Sequence, residues 1–490
     1  MIKELKYNIR HTFFYSLGNI SVKLVGFILL PLYTTKLTTD QYGILAILET
    51  TLSILSPLFL LNIGNAIVRF FGDKKYQEYR GEILFNAFIF SVFTGILLNI
   101  AFQPFSSFFS EKFFHTRDFA IYFRFLFLNI ALQNIAFVVR NYYNAKQLSF
   151  KFSMFNFLRF IIVLLLTIYF IVKLNWGIKG IMLAQTLSFI ITILVFLPGF
   201  FSETKLSINF SLLKHMLAYS APLAFSSIST MIFATGDRYI IKFLMNDAAV
   251  GIYSLAVKFA TVIDFFILQN FQLSYLPYSF ASYSKEEYPY RHSKMTTYLV
   301  FIMVISALFI SLFALEVIEI FSPYNKNYWA AAAFVPFLAF LRPLYALRFM
   351  FGIAMHIRKK TSLIPIIVIV AAVLNIALNF LFIPILGING AILASFISAV
   401  VMTLSYLFFS VRYFKVKYEY FRILVVYILA YLFAMAGRHI MGFSLIIGVV
   451  LKLGLFLLFI ILLRVVGFFS NEEVQTVRSF LKKIFAKVKK

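Results

Sequence analysis

The chain has 490 residues, 62% of them hydrophobic, and a mean hydropathy of +0.90. A soluble protein of this size has too little interior to hide so much apolar surface. The formal net charge is +26, but the cations are spread over many short loops, which excludes a nucleic-acid-binding domain and leaves them as orientation signals. No cysteine is present, so disulfides, thiol catalysis and cysteine metal sites are excluded.

Residues 1–10 are polar and carry lysine. They lack the short apolar core and small-residue cleavage site of a signal peptide, so the first apolar helix is expected to be retained. Apolar runs long enough to cross a bilayer as helices then recur along the whole length. They cover 13–34, 43–68, 82–104, 118–139, 152–172, 178–199, 214–235, 249–275, 296–320, 329–354, 362–383, 388–409, 421–437 and 443–466. The fold class is therefore all-α and polytopic, with about 14 transmembrane helices. With the N-terminus in the cytoplasm, cytoplasmic segments carry 28 Lys and Arg and outer loops 9. That asymmetry places both termini inside, which requires an even number of spans.

An internal repeat is visible. Gly177-Ile178-Lys179-Gly180 opens the sixth span, and Gly387-Ile388-Asn389-Gly390 opens the twelfth, 210 residues later. Gly43-Ile44 and Gly251-Ile252, at the second and eighth spans, are 208 apart. Two six-helix halves of the same membrane orientation follow, over 1–205 and 206–415, with an extra helix pair at 416–469 and a basic tail at 470–490. Parallel repeats about an axis along the membrane normal are a transporter plan, with the ligand near mid-membrane between the halves. In the tail, Val474, Val477, Phe480, Leu481, Ile484 and Phe485 mark one side. The tail reads either as a surface-lying amphipathic segment on anionic lipid or as a solvated end.

Eight cations lie inside the spans: Lys23, Arg124, Arg159, Lys258, Arg342, Arg348, Lys452 and Arg464. A cation in hydrocarbon is costly unless it faces a partner or a wet cavity. Lys23, Lys258 and Arg342 are the deepest in the repeats, and they read as cavity-facing ligands for an anion or as members of buried ion pairs. Snorkelling explains Arg124 and Arg159 about as well as function does. Arg348 and Arg464 lie close to the cytoplasmic end. Lys452 falls outside the repeats, to face a groove or pair with a polar neighbour.

The intramembrane acids are Glu49 and Asp264, with Glu316 and Glu319 near an outer boundary. Glu49 and Asp264 can neutralise Lys23 and Lys258, or take up a coupling proton or sodium ion. Asp237-Arg238-Tyr239 closes the seventh span, where a helix-end ion pair is the plain expectation. Pro31, Pro57, Pro277, Pro336, Pro343 and Pro365 interrupt apolar runs and permit kinks. The six histidines show no metal-binding spacing, and there is no phosphate-binding Gly-x-x-x-x-Gly-Lys loop. A transporter is expected rather than an enzyme, without a cofactor beyond that coupling ion.

Leu17-Gly18-Asn19, Pro31-Leu32-Tyr33, Tyr42-Gly43-Ile44, Gly64-Asn65-Ala66-Ile67-Val68-Arg69, Gly236-Asp237-Arg238-Tyr239 and Val250-Gly251-Ile252-Tyr253 occur in this order. Together they resemble the bacterial oligosaccharide flippases that serve O-antigen, lipopolysaccharide and capsule biosynthesis. These belong to the multidrug/oligosaccharidyl-lipid/polysaccharide exporter superfamily. The resemblance covers essentially the whole chain. It implies two bundles forming a V in the bacterial inner membrane. The expected activity is transfer of an undecaprenyl-diphosphate-linked oligosaccharide from the cytoplasmic to the outer leaflet by alternating access. It further implies diphosphate binding by lumen cations, placed by role at Lys23, Lys258 and Arg342, with Arg69 and Arg140 at the cytoplasmic mouth. A monomer is expected, working beside glycosyltransferases and a polysaccharide polymerase. The rival readings are a flippase for the peptidoglycan lipid precursor, a multidrug/cation antiporter of the same superfamily, and a membrane polysaccharide polymerase. The antiporter favours an acid where span one has Lys23. The polymerase needs a large outer loop rich in Arg and His, which this chain lacks.

Overall fold

In the computed structural model, residues 25–440 and 445–469 are described, with Glu473 and Gln475. Every regular element among them is helical. In chain order they are α1 (Leu30–Lys36), α2 (Thr39–Leu60), α3 (Ile63–Gly72), α4 (Arg80–Phe102), α5 (Ser106–Phe114), α6 (Ala120–Ala145), α7 (Ser149–Ile168) and α8 (Gly177–Phe201). Then come α9 (Phe210–Thr235), α10 (Asp237–Leu244), α11 (Asp247–Ala260), α12 (Gln269–Ser282), α13 (Tyr288–Leu312) and α14 (Ala314–Phe321). The last are α15 (Val335–Phe340), α16 (Arg342–Ile357), α17 (Leu363–Leu386), α18 (Ile388–Tyr413), α19 (Tyr420–Arg438) and α20 (Leu445–Val465). In hydrocarbon a backbone must satisfy its own polar groups, and long apolar helices are how this chain does so.

Among the described residues, 13 helices are long and apolar enough to cross a membrane. They coincide with the second to fourteenth spans expected from the sequence. The first span starts outside the described residues, and so does most of the basic tail.

The chain forms two compact units. One contains residues 1–254, 320–328 and 365–398; the other contains 255–319, 329–364 and 399–490.

In the first unit the repeat landmarks meet reciprocally. A Cβ on Gly43 would stand 1.9 Å from the Asp247 carbonyl oxygen, and one on Gly251 would stand 2.1 Å from the Thr39 carbonyl oxygen. Thr39 and Asp247 are themselves 208 residues apart, as Gly43 and Gly251 are. The openings of α2 and α11 thus cross backbone against backbone about a local pseudo-twofold, and no side chain fits there. Gly177 and Gly387 repeat the pattern with φ of +49° and +58°, a left-handed conformation that suits glycine.

The second span is not one continuous helix. Leu61 and Asn62 both adopt left-handed backbone (φ 48° and 52°) and separate α2 from α3. Asn62 tolerates this conformation, and its side-chain amide donates to Ser227 Oγ at 2.8 Å. α2 begins cleanly with a capping box, in which Thr38 accepts from the Gln41 amide and Gln41 accepts from the Thr38 amide. Buried polar groups join α6 to α8: Asn129 donates to the Met182 carbonyl, and Thr186 donates to Asn129 Oδ1 at 2.8 Å.

In the second unit the long helix of span eight changes pitch. Between α11 and α12 the segment Asp264–Leu268 is a π-helical turn, a local widening that occurs often at functional sites. Span ten breaks at Leu341, and Pro343 opens α16. The widened turn carries Asp264, and the broken span carries Arg342.

Candidate functional site

The π-turn puts Asp264 at its first position, and the break in span ten puts Arg342 at the first position of α16. These two side chains meet. Arg342 Nη1 donates to Asp264 Oδ2 at 3.3 Å, and Arg342 Nε donates to the Leu338 carbonyl. Only about a tenth of the Arg342 side chain is exposed. The bond is longer than the roughly 2.7–2.9 Å of a strong charge-assisted hydrogen bond.

Tyr345, one turn beyond, lies between two guanidiniums. Arg342 and Arg348 each stand 5.2 Å from its ring centroid. Arg348 also reaches Met402 Sδ at 3.7 Å. Lys258, half-buried in α11, belongs to the same unit. Spans eight and ten of this unit therefore carry Lys258, Arg342 and Arg348 against a single deep acid, Asp264. Planar guanidiniums held on an aromatic ring suit a phosphate or diphosphate.

The other expected site residues fall as follows. Lys23 lies outside the described residues. Arg69, in the last turn of α3, is exposed and stacks 4.8 Å above the Tyr219 ring. Arg140, near the end of α6, is inserted between the Phe137 and Phe152 rings and donates to Asn156 Oδ1 at 3.4 Å. Glu49 is exposed on α2. Asp264, read from sequence as a counter-charge for Lys258, bonds to Arg342.

Sequence reasoning missed several placements. Lys452 resolves its two alternatives by ion-pairing with Glu316, and it is only 2% exposed. Arg159 does not reach for the membrane surface; its guanidinium sits 3.9 Å from the Phe189 ring centroid. Asp237-Arg238-Tyr239 takes part in a hydrogen-bond network that the sequence did not signal. Tyr253 donates to Asp237, Arg238 Nε donates to Ser254 Oγ, and the Tyr239 and Thr51 hydroxyls bond each other. At the edge of the second unit Lys294, Glu419, Arg422 and Glu473 form a four-membered ionic cluster. Apart from Glu419 and Arg422, three positions apart, these partners have no local spacing and lie up to 179 residues apart.

The first unit also contains a cavity of about 520 Å³ lined by Phe102, Phe109, Phe113, Phe123, Phe127 and Tyr239 among others. None of its lining residues is charged, so it suits hydrocarbon and not a head group.

Comparison with known proteins agrees with this architecture. Residues 9–283 match the family model described as polysaccharide biosynthesis protein. No curated protein matches the chain by sequence. Among solved structures, the lipid II flippase MurJ in an inward closed conformation is similar with a TM-score of 0.73 at 15% identity, over 92% of this chain and 99% of that one. An inward-facing multidrug resistance MATE family transporter of the MOP superfamily gives 0.66 at 17% identity, over 84% and 95%. A point mutant of the Vibrio cholerae MATE transporter VcmN gives 0.59 at 12% identity, over 82% and 95%. At these identities the structures share the fold, whereas the family match spans more than half of the chain. The chain is a member of the polysaccharide biosynthesis protein family.

Proposed function

We propose that the chain is a flippase that carries an undecaprenyl-diphosphate-linked oligosaccharide from the cytoplasmic to the outer leaflet of the bacterial inner membrane. The observation that carries this reading is the run of intramembrane cations on spans eight and ten, Lys258, Arg342 and Arg348, with Arg342 bonded to Asp264 at 3.3 Å. A diphosphate with attached sugars cannot enter hydrocarbon without losing its water. Guanidinium and ammonium groups in a wet path replace that hydration.

Lys23, Lys258 and Arg342 hold the diphosphate, and Arg69 and Arg140 receive it at the cytoplasmic mouth. The polyprenyl tail stays in lipid, beside the extra helix pair. Two repeats moving against one another give alternating access, with both termini cytoplasmic.

The Arg342–Asp264 bond suggests how loading is sensed. An arriving diphosphate competes with Asp264 for Arg342, and the displaced carboxylate takes up a proton or sodium ion. Glu49 is the second coupling candidate. Neutralising Asp264 offsets one of the negative charges that the diphosphate brings, and Asp264 can reclaim Arg342 when the head group leaves. The flippase acts as a monomer between glycosyltransferases that build the substrate and a polymerase that consumes it. The lipid II flippase handles a substrate of the same charge type, so the peptidoglycan precursor is the alternative cargo; the family match favours the polysaccharide precursor.

Alanine at Lys23, Lys258 or Arg342, with normal membrane abundance, is expected to abolish surface polysaccharide. Wild-type export by the triple variant overturns the proposal.

A further inference from the structure

Two half-buried arginines on neighbouring helices of the first unit have buried Nε atoms and, among the described residues, no ion pair with an acid. Arg140 is on α6, and Arg159 is on α7, three residues after Asn156. Residues three apart on a helix share a face, so Asn156 and Arg159 present their side chains together, and Arg140 bonds to that Asn156 at 3.4 Å. Among the described residues neither forms an ion pair with a carboxylate.

Aromatic rings fix both groups. Arg140 lies 5.1 Å from the Phe137 centroid and 5.5 Å from Phe152, and Arg159 lies 3.9 Å from Phe189. Contact with a ring returns only part of what a cation loses when it is withdrawn from water without a counter-charge. Meanwhile Arg140 Nε, Arg159 Nε and Asn156 Nδ2 are all buried and none has an acceptor. Three N–H donors on adjacent helices, two of them cationic, are thus left without an acceptor.

The position narrows the ligand. Arg140 is five residues from the end of α6 and Arg159 ten residues into α7, which puts them about 7 and 15 Å along their helices from the connection between them. An anion there sits below the membrane surface, where a lipid-borne phosphate can reach. Guanidinium forks match the tetrahedral oxygens of phosphate better than they match chloride. We infer that Arg140, Asn156 and Arg159 form an intramembrane phosphate-binding site, filled by a phosphate on a lipid anchor or by a free phosphate or diphosphate. Arg140 belongs to the head-group path proposed above, but the site does not rest on that reading, because its occupancy can be measured without transport.

The full chain is purified and placed in nanodiscs of phosphatidylcholine with and without phosphatidylglycerol, and bound lipid is counted by native mass spectrometry. In parallel, inorganic pyrophosphate is titrated in detergent and thermal unfolding is followed. One retained phosphatidylglycerol, lost in Arg140→Gln/Arg159→Gln, supports the site with a lipid source. A pyrophosphate-dependent rise in unfolding temperature, lost in the same variant, supports it with a free or substrate diphosphate. If the double variant is not recovered folded, Arg159→Lys replaces it, since lysine keeps the charge and loses the fork. Its affinity should fall about tenfold or more, as expected for loss of hydrogen bonds to a charged group. Arg342→Gln should abolish export and leave phosphatidylglycerol retention intact, which separates failure of the site from failure of the flippase reading. Wild-type protein that binds neither probe, or variants that bind both as wild type does, overturn the inference.

Discussion

Arg342 in one unit and the Arg140–Arg159 pair in the other face the same problem with opposite means. All three are guanidiniums in membrane-spanning helices, steadied by aromatic rings. Arg342 has a carboxylate at 3.3 Å, while the pair has none among the described residues. An acid partner makes a cation stable in the resting protein and lets an incoming anion exchange with it. A cation without one is stable only when the anion is present. The first arrangement suits a site that must load and unload, and the second a site that is normally filled. Lys452 adds a limiting case: its ammonium is 2% exposed and ion-paired with Glu316, which leaves no path for a ligand.

The largest expected effect separates exchange from simple neutralisation at Arg342. Arg342→Gln should reduce export by at least about 100-fold, equivalent to roughly 2.7 kcal/mol. Asp264→Asn should cost about tenfold and change the pH or sodium dependence in reconstituted vesicles. If Arg342 served only to neutralise Asp264, Arg342→Gln/Asp264→Asn would restore export, because both charges are then gone. A head-group ligand predicts that the double variant stays inactive. Surface polysaccharide measured at matched membrane abundance decides between the two.

Lys452 should behave in the reverse way. Lys452→Ala leaves Glu316 buried and uncompensated, at a cost of about 3–5 kcal/mol. Lys452→Met/Glu316→Leu replaces the pair with apolar groups of similar size and should recover most of that stability, with export retained. Thermal unfolding in detergent reads the first effect, and surface polysaccharide reads the second. Recovered stability with lost export would place Lys452 in the transport path after all.

The contrast among these cations also shows what was legible in the sequence. The spans were, because a helix that crosses hydrocarbon must be apolar for about 20 residues, and no tertiary contact can hide that. The repeat was legible at Gly43, Gly251, Gly177 and Gly387, since close backbone crossings and left-handed turns favour glycine. The intramembrane cations could be listed from the sequence, but their partners could not. Asp264 and Arg342 are 78 positions apart, and Glu316 and Lys452 are 136 apart. Composition fixes that a buried charge needs something, whereas packing decides what it meets. Arg159 is the instructive case: depth alone left snorkelling open, and the ring of Phe189 on a neighbouring helix settled its direction. The left-handed residue Leu61 and the π-turn at Asp264 carry no composition signal, whereas Asn62 is a residue type that favours positive φ.

The smallest effect concerns charges that water reaches. Burial of Glu419 works to raise its pKa, but hydrogen bonds from Lys294, Thr297 and Arg422 outweigh it and hold the carboxyl below its ordinary value. A carboxyl whose folded pKa is depressed binds fewer protons folded than unfolded. Its stabilising contribution is therefore complete above the unfolded value of about 4.3 and is lost as pH falls through the lower folded value. Solvent screens this partly exposed cluster, so the contribution should be about 0.5–1 kcal/mol. Glu419→Gln should lower stability by that amount at pH 7 and converge with wild type on acidification below about pH 4. The same comparison in high salt should narrow the gap at pH 7, because the cluster lies within reach of counter-ions. A gap that persists unchanged at low pH would mean that Glu419 acts through packing and not through its charge. The ionic cluster would then resemble the sealed Lys452 pair more than a solvent-screened network.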